Sequence, residues 1–217
     1  MAIASYDDLA ATVKAWCARS DTTFSNQIET FVALHEARIY YGSGTPGDAL
    51  YCESLAAPEL EKVSTLAFVA GAATIPLDAA GIRTLSRPGD QIGLDYFTPR
   101  QYDLLISQNP SGPVIGFTVK AGQILTVPIT TETFSILYYQ VLPPISSNNK
   151  TNALLTAYPL LYFNGAMFEA FTFMQAQDKA LAWFERYRST LAGVNASFSA
   201  DRRAGSTMRV KQRNPIP

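Results

Sequence analysis

Histidine occurs once in this 217-residue chain and cysteine twice. Two cysteines supply neither a disulfide framework nor zinc-ligand spacing. The lone His35 falls on an apolar helical stripe, where a core or interface role is the simpler reading. A hydrolase would need the fold to bring an acid and a nucleophile to His35, since no Ser-His-Asp or Cys-His motif is present. Gly42-Ser43-Gly44 lacks the following glycine or lysine that phosphate binding would want. The acid pairs Asp7/Asp8 and Glu59/Glu61 are of the kind found at helix starts and on solvated surfaces. No catalytic residue, metal site or cofactor is expected, and enzyme activity is not. No apolar run reaches bilayer length. Asp7 and Asp8 stand where a signal peptide would carry lysine or arginine. A soluble protein made in a reducing cytoplasm is expected, with Cys17 a buried free thiol.

Apolar residues, by contrast, make up 47% of the chain, enough for a substantial core. The net charge of -1 argues against a protein that coats nucleic acid, but it is unevenly placed. From Asp201 onward five bases (Arg202, Arg203, Arg209, Lys211 and Arg213) face one acid, so the tail is +4 and residues 1–200 are -5. Such a tail suggests a partner of its own. It could fit an acidic groove on a protein, neutralise phosphates, or stay solvated.

Ser5 with Asp8 opens a first helix, ending near Arg19, with Leu9, Val13, Trp16 and Cys17 on one face. A second helix spans about 25–41, with Ile28, Phe31, Val32, His35 and Ile39 on its stripe. Between residues 47 and 143 the periodicity drops toward two. Strands are expected at 63–69, 114–119, 123–127 and 133–142, with an extended edge piece at 74–77. Lys120-Ala121-Gly122 is a hairpin turn. Residues 78–85 allow a short helix or a loop. Thr98-Pro99-Arg100-Gln101 starts a helix that turns Tyr102, Leu105 and Ile106 inward.

Helices return at 152–158 and 159–176. In the second, Asn164, Glu169, Thr172 and Gln175 confine polarity to an arc of roughly 140° at about 100° per residue. The rest is apolar, wider than a one-sided helix needs. This helix is buried on two sides, within its own bundle or against a neighbouring subunit. Leu161, Met167, Phe168, Phe171 and Met174 are the candidates for a subunit interface. A last helix begins at Asp178, with Leu181, Phe184, Leu191, Val194 and Phe198 on one ridge and Trp183, Tyr187 and Thr190 beside it. Its pattern is lost after Ala200. The expected fold class is α+β: an antiparallel helical bundle from N- and C-terminal helices, a central antiparallel β insertion, and an extended C-terminal tail. The parts are residues 1–46, 47–143, 144–199 and 200–217.

Five stretches carry a resemblance: 92–105 (IGLDYFTPRQYDLL), 136–144 (ILYYQVLPP), 151–169 (TNALLTAYPLLYFNGAMFE), 183–195, and RRAGS at 202–206. In this order the chain resembles the head-to-tail adaptor (connector, or tail tubular) proteins of tailed bacteriophages. The resemblance implies a non-enzymatic virion protein assembled in the host cytoplasm. It implies a homo-oligomeric ring of twelve beneath the portal protein, with a tail nozzle or tail tube protein below and DNA passing through without sequence-specific binding. It gives Arg202, Arg203, Arg209, Lys211 and Arg213 the role of a portal-docking tail. The alternative is a small nucleic-acid-binding module acting through that tail.

Overall fold

The computed structural model describes residues 3–90, 93–109 and 111–204, with side chains as far as residue 200. In chain order, α1 (Tyr6–Cys17) and α2 (Thr22–Tyr41) come first. Strands β1 (Glu61–Ala67), β2 (Ala72–Thr74), β3 (Ala79–Ser86) and β4 (Asp95–Tyr96) follow, then α3 (Pro99–Gln108). After β5 (Gly116–Lys120), β6 (Gln123–Val127) and β7 (Thr133–Gln140) come α4 (Ala153–Ala157), α5 (Pro159–Phe173) and α6 (Gln177–Ala204). The fold is therefore mixed α+β. Glu59–Pro143 forms one compact unit, and the chain on either side of it forms the other.

In the helical unit, local chemistry sets the helix ends. The Ser5 hydroxyl accepts from the Asp8 N–H at 3.2 Å, and Ala18 closes α1 in the left-handed region at φ 50°. Asp21 accepts from the Phe24 N–H at 3.0 Å, so α2 starts three residues earlier than its apolar stripe suggests. Asn152 caps α4 in the same way, and Pro159 opens α5. Ile28, Phe31, Val32, His35 and Ile39 of α2 are all buried, as their spacing predicts.

Helix α5 is the centre of this unit. Every residue from Leu161 to Phe171 is buried, and the helix packs against α1, α2, α4 and α6. Of the polar positions expected on it, Thr172 and Gln175 are exposed, but Asn164 and Glu169 are buried and paired. Asn164 donates to the Thr190 hydroxyl of α6 at 3.1 Å, and Glu169 pairs with Arg38 of α2 at 2.8 Å. On α6 the buried ridge is Trp183, Phe184, Tyr187 and Leu191, whereas Leu181 points out. Helix α6 runs to Ala204, past the point where its apolar pattern is lost, so 201–204 are helical rather than extended. Residues 47–58, which composition groups with the β insertion, fold back on the helices. Leu55 N–H donates to the Ile39 carbonyl at 2.7 Å, and Ala56 N–H to the Asn195 side chain at 2.8 Å.

The β unit holds two sheets, ordered β1-β7-β3 and β2-β6-β5-β4. The expectation of an antiparallel unit is corrected at one place: β4 pairs with β5 in parallel. From Ala79 on, the stretch expected as a short helix or a loop is strand, for β3 pairs with β7 through two irregularities that erase a clean alternation. Strand β7 is central, with β1 antiparallel on its other side. The core holds Phe68, Leu85, Phe117, Ile124, Phe134, Ile136 and Tyr138. The hairpin at Ala121-Gly122 has positive φ at both residues, 52° and 73°. The capping box at Thr98 and Gln101 forms in full, and Tyr102, Leu105 and Ile106 are the half-buried positions of α3.

Candidate functional site

Where α2 faces α5, two ionisable side chains lie next to each other and out of water. His35 is fully buried, with its ring edge-on to Tyr162 at 5.8 Å and to Tyr187 at 4.8 Å. Gly165 makes room for it: a Cβ there would lie 1.8 Å from His35 Nδ1. Neither ring nitrogen has a well-aligned hydrogen-bond partner. Burial, with Arg38 adding to it, pushes His35 down to about 3, and the nearby Leu161 carbonyl does not offset this. Glu36 Oε1 accepts from Tyr162 Oη at 2.9 Å, from the Ile145 N–H at 3.2 Å and from Asn152 Nδ2 at 3.5 Å. Burial still pushes Glu36 up to about 7. The Tyr162 and Tyr187 hydroxyls are driven upward by burial and stay neutral.

This pair cannot work as a catalytic dyad. The Glu36 oxygen that makes bonds is committed to Tyr162, Asn152 and the backbone, and the His35 ring is enclosed by aromatics. No nucleophile among the described residues is hydrogen-bonded to the imidazole. Among the described residues, no group of three or more His, Cys, Asp or Glu could hold a metal ion. Cys17 is half-buried rather than buried, because α1 ends there. Burial pushes its thiol up to about 11 against the pull of Arg19 and Lys179. Cys52 is the fully covered thiol.

The surface of the helical unit is more informative. Trp16, placed by its spacing on the apolar face of α1, is 59% exposed. It packs edge-on to Phe163 at 5.4 Å and to Trp183 at 5.6 Å, and those two rings meet at 5.4 Å. The Arg186 guanidinium lies 4.5 Å over Trp183. On the other flank of α6 is a groove of about 800 Å³, with Arg38, Leu50, Phe168, Thr172 and Leu181 among its walls.

A family model described as SU10 adaptor protein matches residues 4–212. The chain belongs to the SU10 adaptor protein family. That is a family of structural phage adaptors, not an enzyme class, in agreement with the resemblance carried by the five sequence stretches. A search of curated proteins finds no match. No described helix is long and apolar enough to cross a membrane.

In this SU10 adaptor protein the two sets of predicted site residues fare differently. Leu161, Met167, Phe168 and Phe171 are buried inside their own protomer and Met174 is half-buried. The wide apolar surface of α5 is covered largely by α1, α2, α4 and α6 of the same chain, while Phe168 also reaches the wall of the groove beside α6. Arg202 and Arg203 belong to the last turn of α6. Arg209, Lys211 and Arg213 lie outside the described residues. Sequence reasoning missed the exposure of Trp16. The signal available was that α1 must end at Ala18, one turn past Val13, leaving the end of the stripe uncovered.

Proposed function

We propose that this chain is the ring-forming head-to-tail adaptor of a tailed phage. Twelve copies sit beneath the portal, join it to a tail nozzle or tail tube protein, and line part of the channel through which DNA leaves. The extent of the family match supports this reading: residues 4–212 take in both units and run into the basic exit. The charge distribution agrees with it. A +4 segment follows a body of -5, so the positive charge is concentrated in the tail, where it suits an acidic partner. Residues 200–217 act as a docking element for the portal, with Arg202, Arg203, Arg209, Lys211 and Arg213 meeting acidic or carbonyl-rich ground there. The particle is built in the host cytoplasm and the protein ends in the virion. Its role is structural.

The test is truncation after Ala204, which keeps α6 and removes Arg209, Lys211 and Arg213. The shortened protein is expected to keep its helical circular dichroism and melting temperature and to lose at least tenfold in affinity for isolated portal rings. Unchanged portal binding would sink the tail assignment. The nucleic-acid module makes a different prediction, salt-dependent retention of duplex DNA through the same bases. The adaptor reading expects no retention by the full chain in a gel shift at low salt.

A further inference from the structure

Beside the second half of α6 lies a hollow of about 640 Å³, within the helical unit, with Tyr41, Tyr51, Glu53, Ser54 and Ser199 among its walls. Those walls are pinned. Ser43 and Cys52 exchange backbone hydrogen bonds at 2.9 Å each, and the Asn195 side chain accepts from the Ala56 N–H at 2.8 Å and donates to the Ser54 carbonyl at 3.1 Å. Glu53 is the one acid among the wall residues, and no lysine or arginine is among them. It is exposed and makes no ion pair among the described residues. Arg188, which shares a neighbouring hollow with Glu53, is committed to Glu185 at 2.7 Å. Tyr41 is 67% exposed, a large ring left in water. An acid together with two tyrosines suits a guanidinium or an ammonium, since the carboxylate takes the charge and the N–H donors while the rings take the cation on their faces. The chain itself supplies such cations close by. Ser199 belongs to this wall, and Ala204 ends α6 five residues later, about 7.5 Å further along at 1.5 Å per residue. Arg209 follows Ala204 by another five residues, which span up to roughly 17 Å when extended. That is enough chain to double back past the end of α6, and Lys211 has more. No acid lies between Gly205 and Pro217, so these bases have no partner within the tail.

We propose that the basic tail folds back onto this hollow of its own chain, bringing Arg209 and Lys211 to Glu53, Tyr41 and Tyr51. Tethering favours the tail's own copy over a second one, for a short link presents the bases at an effective concentration of about a millimolar. An exposed contact of this kind is charge-driven and weak, so salt loosens it and a more acidic partner displaces it. Whatever docks the tail, the portal included, then competes with this resting place.

The test places p-benzoylphenylalanine at the exposed position 41 of the full chain. The dilute protein is irradiated and its adducts are mapped by mass spectrometry. Adducts within one chain are expected, joining position 41 to peptides from 204–213. Their yield should fall about threefold or more in about 0.5 M salt, which screens the pair. Glu53→Lys should cut the yield about fivefold or more, and adding Arg209→Glu, Lys211→Glu and Arg213→Glu should recover it. A second probe at position 51 serves if the first lowers the melting temperature. Adducts that run only as a dimer on a denaturing gel, adducts only to other parts of the chain, or none from either probe would overturn the resting place. Portal binding by the chain cut after Ala204 is read separately. Loss of that binding without adducts overturns the resting place and leaves the adaptor reading standing. Adducts with normal portal binding uphold the resting place and remove the docking role.

Discussion

Gly165→Ala is expected to cost the helical unit about 3 kcal/mol or more, at the upper end of what overpacking a core costs. Glycine in the middle of a helix is normally a weakness, and alanine there would ordinarily stabilise by about 1 kcal/mol. Here the sign is reversed by His35. A Cβ on residue 165 would lie 1.8 Å from Nδ1, 1.9 Å from Cε1 and 2.4 Å from Cγ of the imidazole. The ring cannot swing aside, because Tyr162 and Tyr187 stand edge-on to it and both are fully buried. Either α2 moves off α5 or the imidazole leaves its site, and both open the buried contact between these helices. For a domain of this size the melting temperature should fall by at least about 6 °C. Scanning calorimetry reads this directly. Trimming the ring should rescue the variant: His35→Ala in the Gly165→Ala background should be more stable than Gly165→Ala alone. The coupling energy should exceed about 1 kcal/mol, as for residues in direct contact. A Gly165→Ala protein that melts like the parent would show that the two residues do not touch.

What the sequence reveals about this region, and what it hides, follows from the range of the interactions. The Thr98–Gln101 capping box and the Ser5–Asp8 cap are legible because donor and acceptor lie three residues apart. The α2 stripe is legible because period alone defines it. The width of the apolar surface on α5 is legible too, but not what covers it. A helix wrapped by four neighbours in its own chain and one pressed against another subunit show the same pattern, so the sequence alone could not tell that Leu161, Met167, Phe168 and Phe171 are buried within their own protomer. Strand β3 is hidden because seven of its eight residues are half-buried, which leaves no alternation to find. Gly165 goes unremarked because its reason is a ring 130 residues away. A glycine inside an otherwise apolar helix was the only local hint of a close approach. Glu36 is hidden for the same reason: its partners are Tyr162, Asn152 and the Ile145 N–H, all beyond the β unit in sequence.

Glu36 and His35 together predict an unusual pH profile. Between pH 4.5 and 6.5 the parent protein is expected to show little change in stability, and Glu36→Gln is expected to turn that plateau into a slope. Glu36, ordinarily 4.5, is held near 7 by burial. Across that window the folded chain keeps a proton that the unfolded chain has given up, so this residue makes stability fall as pH rises. His35, ordinarily 6.5, is held near 3. Below 6.5 the unfolded chain takes up a proton that the folded chain refuses, so this residue makes stability fall as pH drops. From 4.5 to 6.5 each state therefore holds one proton, on Glu36 when folded and on His35 when unfolded, and the two slopes cancel. The buried phenols stay neutral, and Asp8, Asp21, Asp48 and Asp78 are lowered by their hydrogen bonds to below the window. Glutamine keeps a carbonyl oxygen for Tyr162 and Ile145 but removes the proton. Only the His35 slope then remains. The variant should gain up to about 1.4 kcal/mol per pH unit as pH rises, the slope easing near 6.5, or roughly 2 kcal/mol from pH 4.5 to 6.5. Urea unfolding at half-unit pH steps, with the m-value unchanged, measures it. A Glu36→Gln profile that stays flat would mean that His35 titrates alike in both states, which its enclosure by Tyr162, Tyr187 and Gly165 forbids.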